Sequence, residues 1–288
     1  MSKNLYSLNG NRQKLDGGAM FGNAPKALWQ RWTAPDDRNR IDLACRTLLI
    51  EESDRVILLE TGVGAFFEPK MRDRFGIVEA EHILLKNMEQ IGFSHEAIDV
   101  VVLSHLHFDH AGGLLTAHIE GEDAQLLFPN AQYIVGREAW QRANAPHARD
   151  KASFLPHLNA LLSASGRLHI VDGDTSDILG SAYRFHLSHG HTPGMLLTEV
   201  STNSGPVVFG GDLVPGTPWV HKAITMGYDR FPELLIDEKT ELLVDLVQRG
   251  GFIFFTHDPV VAMAKISTDD RGRFVPTHAV HELAGIPA

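Results

Sequence analysis

Six consecutive residues, His105 to His110, limit what this chain can become more than any other stretch. His-Leu-His-Phe-Asp-His offers four metal-ligating side chains in six positions. It follows the mainly apolar run Ile98 to Leu103, which predicts a buried strand. Alternate residues of an extended segment point the same way, so His105 and His107 can hold one ion together. Asp109 and His110 fall where the chain leaves the strand and can turn toward a second ion. Ala111-Gly112-Gly113 supply small residues that let backbone crowd against such a site before a helix begins. A solvated histidine-rich loop would explain one or two of these histidines. It does not explain this spacing at the end of an apolar strand.

The rest of the composition narrows the function class. The net charge of −10, with no run of Lys or Arg, excludes a surface that tracks phosphates, so no nucleic-acid partner is expected. No segment is apolar enough over bilayer length, and the N-terminal residues lack the apolar core of a signal peptide. A soluble, cytoplasmic protein without a membrane partner is the expectation. The single cysteine, Cys45, rules out an internal disulfide framework and a thiolate zinc cage, and its apolar neighbours predict a small buried residue. Sixteen histidines are many for 288 residues, and that excess points to metal.

Along the chain, Leu5 to Leu8 and Gln13 to Leu15 flank Asn9-Gly10 and predict a hairpin. A flexible glycine-rich segment, Asp16 to Gly22, follows, and Asn23 to Arg40 carries Trp29 and Trp32 without a sustained period. A second hairpin is expected over Ala44 to Glu51 and Arg55 to Glu60, and a third over Met195 to Val200 and Pro206 to Phe209. Helical spacing marks Ala80 to Ile91, Arg137 to Ala143, Phe154 to Leu162 and Leu234 to Val247. Further strands are read at Ala131 to Val135, Leu168 to Val171, Tyr183 to Leu187, Gly251 to Phe255 and Val261 to Ile266. Many hairpins with interspersed helices predict an α+β protein with two mainly antiparallel sheets and helices on their outer faces. With no repeat, linker or break in composition, residues 1–288 read as a single domain.

If the histidine motif opens a site, its other ligands should also stand just past strands. Three places qualify: His189 or His191 after Leu187, Asp212 after Val207-Val208-Phe209, and His257 after Phe254-Phe255. Together they complete a two-metal set, with His105, His107 and His191 on one ion, Asp109, His110 and His257 on the other, and Asp212 bridging. Imidazole and carboxylate without thiolate suit two zinc ions per chain, and also manganese, iron or cobalt. Two such ions can trap a hydroxide whose parent water has a pKa lowered toward about 7. No serine or cysteine nucleophile is then needed, and Gly-x-Ser-x-Gly is absent.

His105-x-His107-x-Asp109-His110, followed in order by His191, Asp212 and His257, resembles the metallo-β-lactamase superfamily. The resemblance implies an αβ/βα sandwich with a dinuclear site at one edge, and the Thr192-Pro193-Gly194 turn favours His191 over His189. Leu15 to Gly22, Pro25-Lys26-x-Leu28-Trp29 and Met226-Gly227-Tyr228-Asp229 look like the quorum-quenching lactonase branch of Bacillus type. That implies a zinc-dependent hydrolase on a small-molecule lactone of the acyl-homoserine type or a related ester, with Asp109 and Asp212 catalytic. Met20, Phe21, Trp29, Trp32, Phe67, His221 and Tyr228 are the expected substrate-facing residues, and a homodimer is admitted.

Several positions depart from the pattern. Glu60-Thr61-Gly62 stands where Asp-x-Gly is common, and Met195 where a further histidine is common. Pro215 replaces a tyrosine three positions after the bridging aspartate, leaving His221 or Tyr228 to assist the substrate carbonyl. Phosphotriesters, aryl esters and thioesters, the last as in glyoxalase II, are alternative substrates of the same site. A mononuclear iron oxidoreductase of persulfide-dioxygenase type is the alternative of another class.

Overall fold

Runs of Val, Ile and Leu become strands where Gly, Pro, Asn or Asp interrupt them, and amphipathic runs become helices. In the computed structural model, which describes residues 3–288, this gives fifteen strands and eight α-helices. Met1 and Ser2 of the N-terminal segment lie outside the described residues. In chain order the strands begin with β1 (Asn4–Asn9), β2 (Gln13–Asp16), β3 (Arg40–Leu43), β4 (Arg46–Glu51) and β5 (Val56–Leu59). They continue with β6 (Val100–Val102), β7 (Gln132–Gly136), β8 (Leu168–Val171), β9 (Tyr183–Ser188) and β10 (Met195–Val200). The last are β11 (Val207–Phe209), β12 (Phe252–Phe254), β13 (Met263–Thr268), β14 (Phe274–Val280) and β15 (Ala284–Pro287). The helices are α1 (Gly17–Phe21), α2 (Lys26–Trp29), α3 (Pro69–Arg74) and α4 (Ile83–Gln90). After them come α5 (Phe108–Ala111), α6 (Arg137–Asn144), α7 (Pro156–Ala164) and α8 (Pro232–Arg249). Among the described residues, no helix is long and apolar enough to cross a membrane.

The chain divides into two units. The first holds residues 3–13, Ala44–Asp172 and Ala284–Pro287. Its seven-stranded sheet runs β15-β1-β4-β5-β6-β7-β8. The expected β4–β5 hairpin is present, with Leu48 opposite Leu59. Beyond β5 the ladders to β6, β7 and β8 are parallel, so this sheet is mixed rather than mainly antiparallel. Parallel neighbours need long crossovers. Helix α4 lies between β5 and β6, and α6 and α7 between β7 and β8. Parallel pairing has a consequence for chemistry, because β5 and β6 both end at one edge with Leu59 opposite Val102. The core of this unit gathers Leu49, Leu58, Val101, Leu103, Tyr133 and Leu158.

The expected first hairpin is not formed. Strand β1 pairs with β15 and β4, whereas β2 pairs with β3. Gly10 donates its N–H to the Cys45 carbonyl, and Asn11 bonds the Glu79 and Glu81 carbonyls. The chain after β1 is thereby held to other segments instead of turning back.

The second unit holds Lys14–Leu43 and Gly173–Leu283. Its six-stranded sheet, β14-β13-β12-β11-β10-β9, is antiparallel except for the parallel β11–β12 pair. Here the two-strand expectation for Met195 to Phe209 holds, as β10 and β11. The glycine-rich segment is not a flexible loop. Asp16 Oδ1 accepts from Ala19 N and starts α1. Phe21 is then sandwiched between Trp29 and Trp219, at ring separations of 5.4 and 4.6 Å and with nearly parallel planes. Helix α8 covers this core with Leu235, Leu242, Leu243 and Leu246.

Candidate metal centre

Four strands end in the same way. His105 lies three residues past the end of β6, His191 three past β9, Asp212 three past β11 and His257 three past β12. Each apolar strand is anchored by burial, and the first residues released from the ladder are free to present side chains. In each sheet the strands therefore fix where these side chains emerge.

In the first unit, His105, His107 and His110 are buried, with the His105 ring 4.4 Å from that of His107 and 4.1 Å from that of His110. His107 is the last extended residue before α5, and Asp109 and His110 lie on that helix. Asp109 Oδ1 stands 3.8 Å from His110 Nε2. The outer partners come from the neighbouring strand. Glu60 follows β5, and its N–H bonds the Val102 carbonyl of β6, which sets its carboxylate behind the histidines. Glu60 Oε2 takes the Nδ1 hydrogen of His110 at 2.8 Å. Its other oxygen accepts from Ser104 Oγ, which lies 2.8 Å from His105 Nδ1. Both imidazoles are thus held at Nδ1, which turns Nε2 toward the position from which it could ligate a metal. Glu60, His105 and His110 bring ligand-capable atoms within 4.8 Å, but both Glu60 oxygens already serve this orienting role. Glu60 holds a φ of 63° to do so, a left-handed backbone that a glutamate rarely adopts. The small residues after the motif are required by packing. A Cβ on Gly113 would overlap the Thr61 carbonyl oxygen, and His82 Nε2 bonds the Gly113 carbonyl at 3.0 Å.

In the second unit one carboxylate lies between two imidazoles. Asp212 Oδ2 is 3.1 Å from His191 Nε2, and Asp212 Oδ1 is 3.2 Å from His257 Nε2. His191 Nδ1 meets Asp229 Oδ1 at 2.9 Å, and Asp229 Oδ2 accepts from Met226 N at 2.6 Å. With the Nδ1 hydrogen given to Asp229, His191 Nε2 faces a carboxylate oxygen, and either a second proton on the imidazole or a divalent cation satisfies that pair. Donor atoms bound to one tetrahedral zinc at about 2.0–2.1 Å stand roughly 3.3 Å apart, close to both separations. Buried imidazoles and carboxylates with no thiolate fit a divalent metal. Cys45 is buried apart, against Val63, Ile77 and Phe108.

His189 takes a different part from His191, because its Nδ1 accepts from Gly194 N and closes the Thr-Pro-Gly turn. Asp258 binds Thr217 through N and Oγ1 and the Val260 and Val261 N–H groups, fixing the loop after His257. Pro215 accepts the His257 N–H at its carbonyl. Among the substrate-facing candidates, Met20, Phe21 and Trp29 are at most 2% exposed and belong to the core, so their role is packing. Trp32 and Tyr228 are exposed, and Trp32 lies 6.5 Å from the His221 ring. Phe67 joins a cluster with Phe66, Phe75 and Phe108. Sequence reasoning missed Ser104 and Asp229 as orienting groups, although Ser104 adjoins the histidine motif and Asp229 stands inside a segment it had singled out.

Comparison with known proteins gives the family and the fold. The model of the metallo-β-lactamase superfamily matches residues 40–257. An N-acyl homoserine lactonase from a Bacillus species is 27% identical over 238 residues, covering 76% of this chain and 82% of the relative. A probable metal-dependent hydrolase from Staphylococcus aureus superposes with a TM-score of 0.85 at 26% identity, over 96% of this chain and 98% of that one. AidC, a dizinc quorum-quenching lactonase, superposes with a TM-score of 0.75 over 95% and 94% of the two chains. At 22% identity that likeness speaks for the fold alone. By its motif, its sheets and the matched residues, the chain belongs to the metallo-β-lactamase superfamily.

Proposed function

We propose that residues 1–288 form a single dinuclear metal hydrolase domain that opens a lactone of the acyl-homoserine type. The reading joins both ligand sets in one centre: His105, His107 and His191 for one ion, Asp109, His110 and His257 for the other, and Asp212 shared. The observation that carries it is the Asp212 carboxylate with an imidazole Nε2 at each oxygen. Two zinc ions bound there supply Lewis acidity toward the substrate carbonyl and make water acidic near neutral pH.

The chain's own groups do the rest. Asp212 keeps its two oxygens turned apart, one toward each histidine. Asp109, partly exposed at the start of α5, takes the proton released by the attacking water on its oxygen not used as a ligand and passes it to the alkoxide that leaves when the ring opens. Trp32, Phe67 and Tyr228 offer apolar surface for an acyl chain, and His221 or Tyr228 steadies the carbonyl in place of the tyrosine that Pro215 replaces. The Bacillus N-acyl homoserine lactonase supports the choice of lactone.

The test is ring opening of N-hexanoyl-homoserine lactone by the zinc-loaded protein, followed by acid release, with phenyl acetate and a phosphotriester in parallel. Turnover that disappears with chelator is the expected result. No lactone turnover at micromolar enzyme removes the lactone reading and leaves the hydrolase reading to the other two substrates. Elemental analysis giving one iron per chain, rather than two metals, replaces hydrolysis with oxidation.

A further inference from the structure

Helix α8 buries Leu235, Lys239, Leu242, Leu243 and Leu246. That spacing is one helix face, so Lys239 occupies a place in an apolar stripe. Lysine is among the residues least often buried whole, yet Lys239 is 0% exposed. Its Nζ donates to the Ile224 carbonyl at 2.6 Å and reaches the His221 carbonyl at 3.4 Å. Both carbonyls belong to the loop that carries Asp229. Burial pushes the ammonium down to about 8, with the Asp229 carboxylate acting in the opposite direction. At neutral pH its burial therefore costs stability, and an apolar residue would serve the helix better.

The preceding residue points elsewhere, since successive helical side chains are turned by about 100°. Glu238 accepts from Ser188 Oγ at 2.7 Å, from His189 N at 2.8 Å and from Gly190 N at 3.0 Å. Those are the three residues before His191. A Cβ on Gly190 would overlap the backbone of Leu235, so this loop lies directly on α8. The two loops are also bonded to one another, through Arg230 N and Phe231 N to the Gly190 carbonyl.

We propose that Glu238 and Lys239 are a pair of positioning residues for His191: Glu238 fixes the backbone that carries it, and Lys239 fixes the loop whose Asp229 holds its Nδ1. The pair acts on metal affinity and not on the fold. It rests on the reading of His191 as a metal ligand.

The experiment compares the full-length wild type with Glu238→Ala, Lys239→Met and a control, Leu246→Ala, on the same helix face. Three quantities are read: thermal unfolding of the metal-free protein, zinc affinity by chelator competition, and the visible absorption of the cobalt-loaded form. For Glu238→Ala and Lys239→Met, zinc binding should weaken by about tenfold or more, as for outer partners of metal ligands. Their cobalt bands should change while metal-free unfolding falls no lower than that of the wild type. Leu246→Ala should unfold earlier yet bind zinc as the wild type does. Unchanged affinity and spectra in both variants overturn the inference, as does an equal affinity loss in Leu246→Ala. If Lys239→Met does not fold, Glu238→Ala, at a half-buried position, decides alone. A wild type that binds no metal overturns the ligand reading together with the inference, whereas a two-metal wild type with unaffected variants overturns only the inference.

Discussion

The two units present their ligands by different means. In the first, His105, His107, Asp109 and His110 leave a single strand, and their orienting carboxylate, Glu60, comes from the parallel neighbour of that strand. In the second, His191, Asp212 and His257 leave three strands, and Asp229, Glu238 and Lys239 come from the loop and the helix between Asp212 and His257. One ladder fixes the first set, while the second depends on several long-range contacts. The first set therefore hangs on one pair of neighbouring strands, and the second on contacts from a loop and a helix.

Asp212→Ala should have the largest effect. It removes the carboxylate that stands between His191 and His257 and leaves two buried imidazoles without it. Metal content should fall, and hydrolysis should drop by more than the 100-fold or so that marks loss of an outer partner. Asp109→Ala removes a partly exposed side chain and should retain more metal while losing turnover. Elemental analysis and rates on the same preparations check both. Full metal retention in Asp212→Ala would show that Asp212 is not a ligand.

Next in size are the orienting carboxylates. Glu60→Gln and Asp229→Asn should each weaken zinc binding by about 10–100-fold. The Glu60 change should be the larger, because Glu60 serves His110 directly and His105 through Ser104, whereas Asp229 serves His191. Chelator competition measures the order. A larger loss for Asp229→Asn would reverse the ranking of the two sets.

The same contrast explains what the sequence disclosed. The seven ligand candidates were legible because each follows an apolar run, and such runs end in ladders whose next residues are exposed to the site. The Asn9-Gly10 hairpin was misread because a two-residue turn signal is local, whereas the pairing of β1 with β4 and β15 is decided by distant strands. Strands β14 and β15 went unread because Pro276 interrupts one and the other is only Ala284-Gly285-Ile286-Pro287. Trp29 looked like a pocket wall until its stacking on Phe21 placed it in the core. Lys239 carried no signal, since a lysine in a helix is ordinarily solvated. Only the buried stripe of α8 makes it unusual.

A pair of glycines gives a smaller effect, on stability. Gly113→Ala pushes a methyl group into the Thr61 carbonyl, and Gly190→Ala pushes one into the Leu235 backbone. Overpacking of this kind costs about 1–3 kcal/mol. The first should cost more, because Thr61 N is tied to the His110 carbonyl and Gly113 N to the Gly62 carbonyl, which leaves little room for movement. Thermal unfolding of the metal-free variants gives the comparison, and equal losses would mean that the second loop is as firmly held as the first.

The smallest effect at neutral pH comes from one buried base in each unit. In the first, burial lowers the His82 pKa from its ordinary 6.5, against the pull of the Gly113 carbonyl. In the second, burial lowers Lys239 from 10.5 to about 8. In both, the folded state binds fewer protons than the unfolded one between the two pKa values, so stability rises with pH across that interval. The His82 contribution is complete above 6.5 and is lost as pH falls below it through the lowered folded value. The Lys239 contribution is complete above 10.5 and is lost as pH falls through about 8, so at pH 7 it is absent. Each window carries at most one proton, hence a slope of no more than about 1.4 kcal/mol per pH unit. Denaturant midpoints measured from pH 4 to 11 should therefore lose slope below 6.5 in His82→Gln and between about 8 and 10.5 in Lys239→Met. A Lys239→Met curve that keeps its alkaline slope would mean that the ammonium is not buried as placed, and the contrast between a sheet-built set and a helix-held set would lose its support on the helix side.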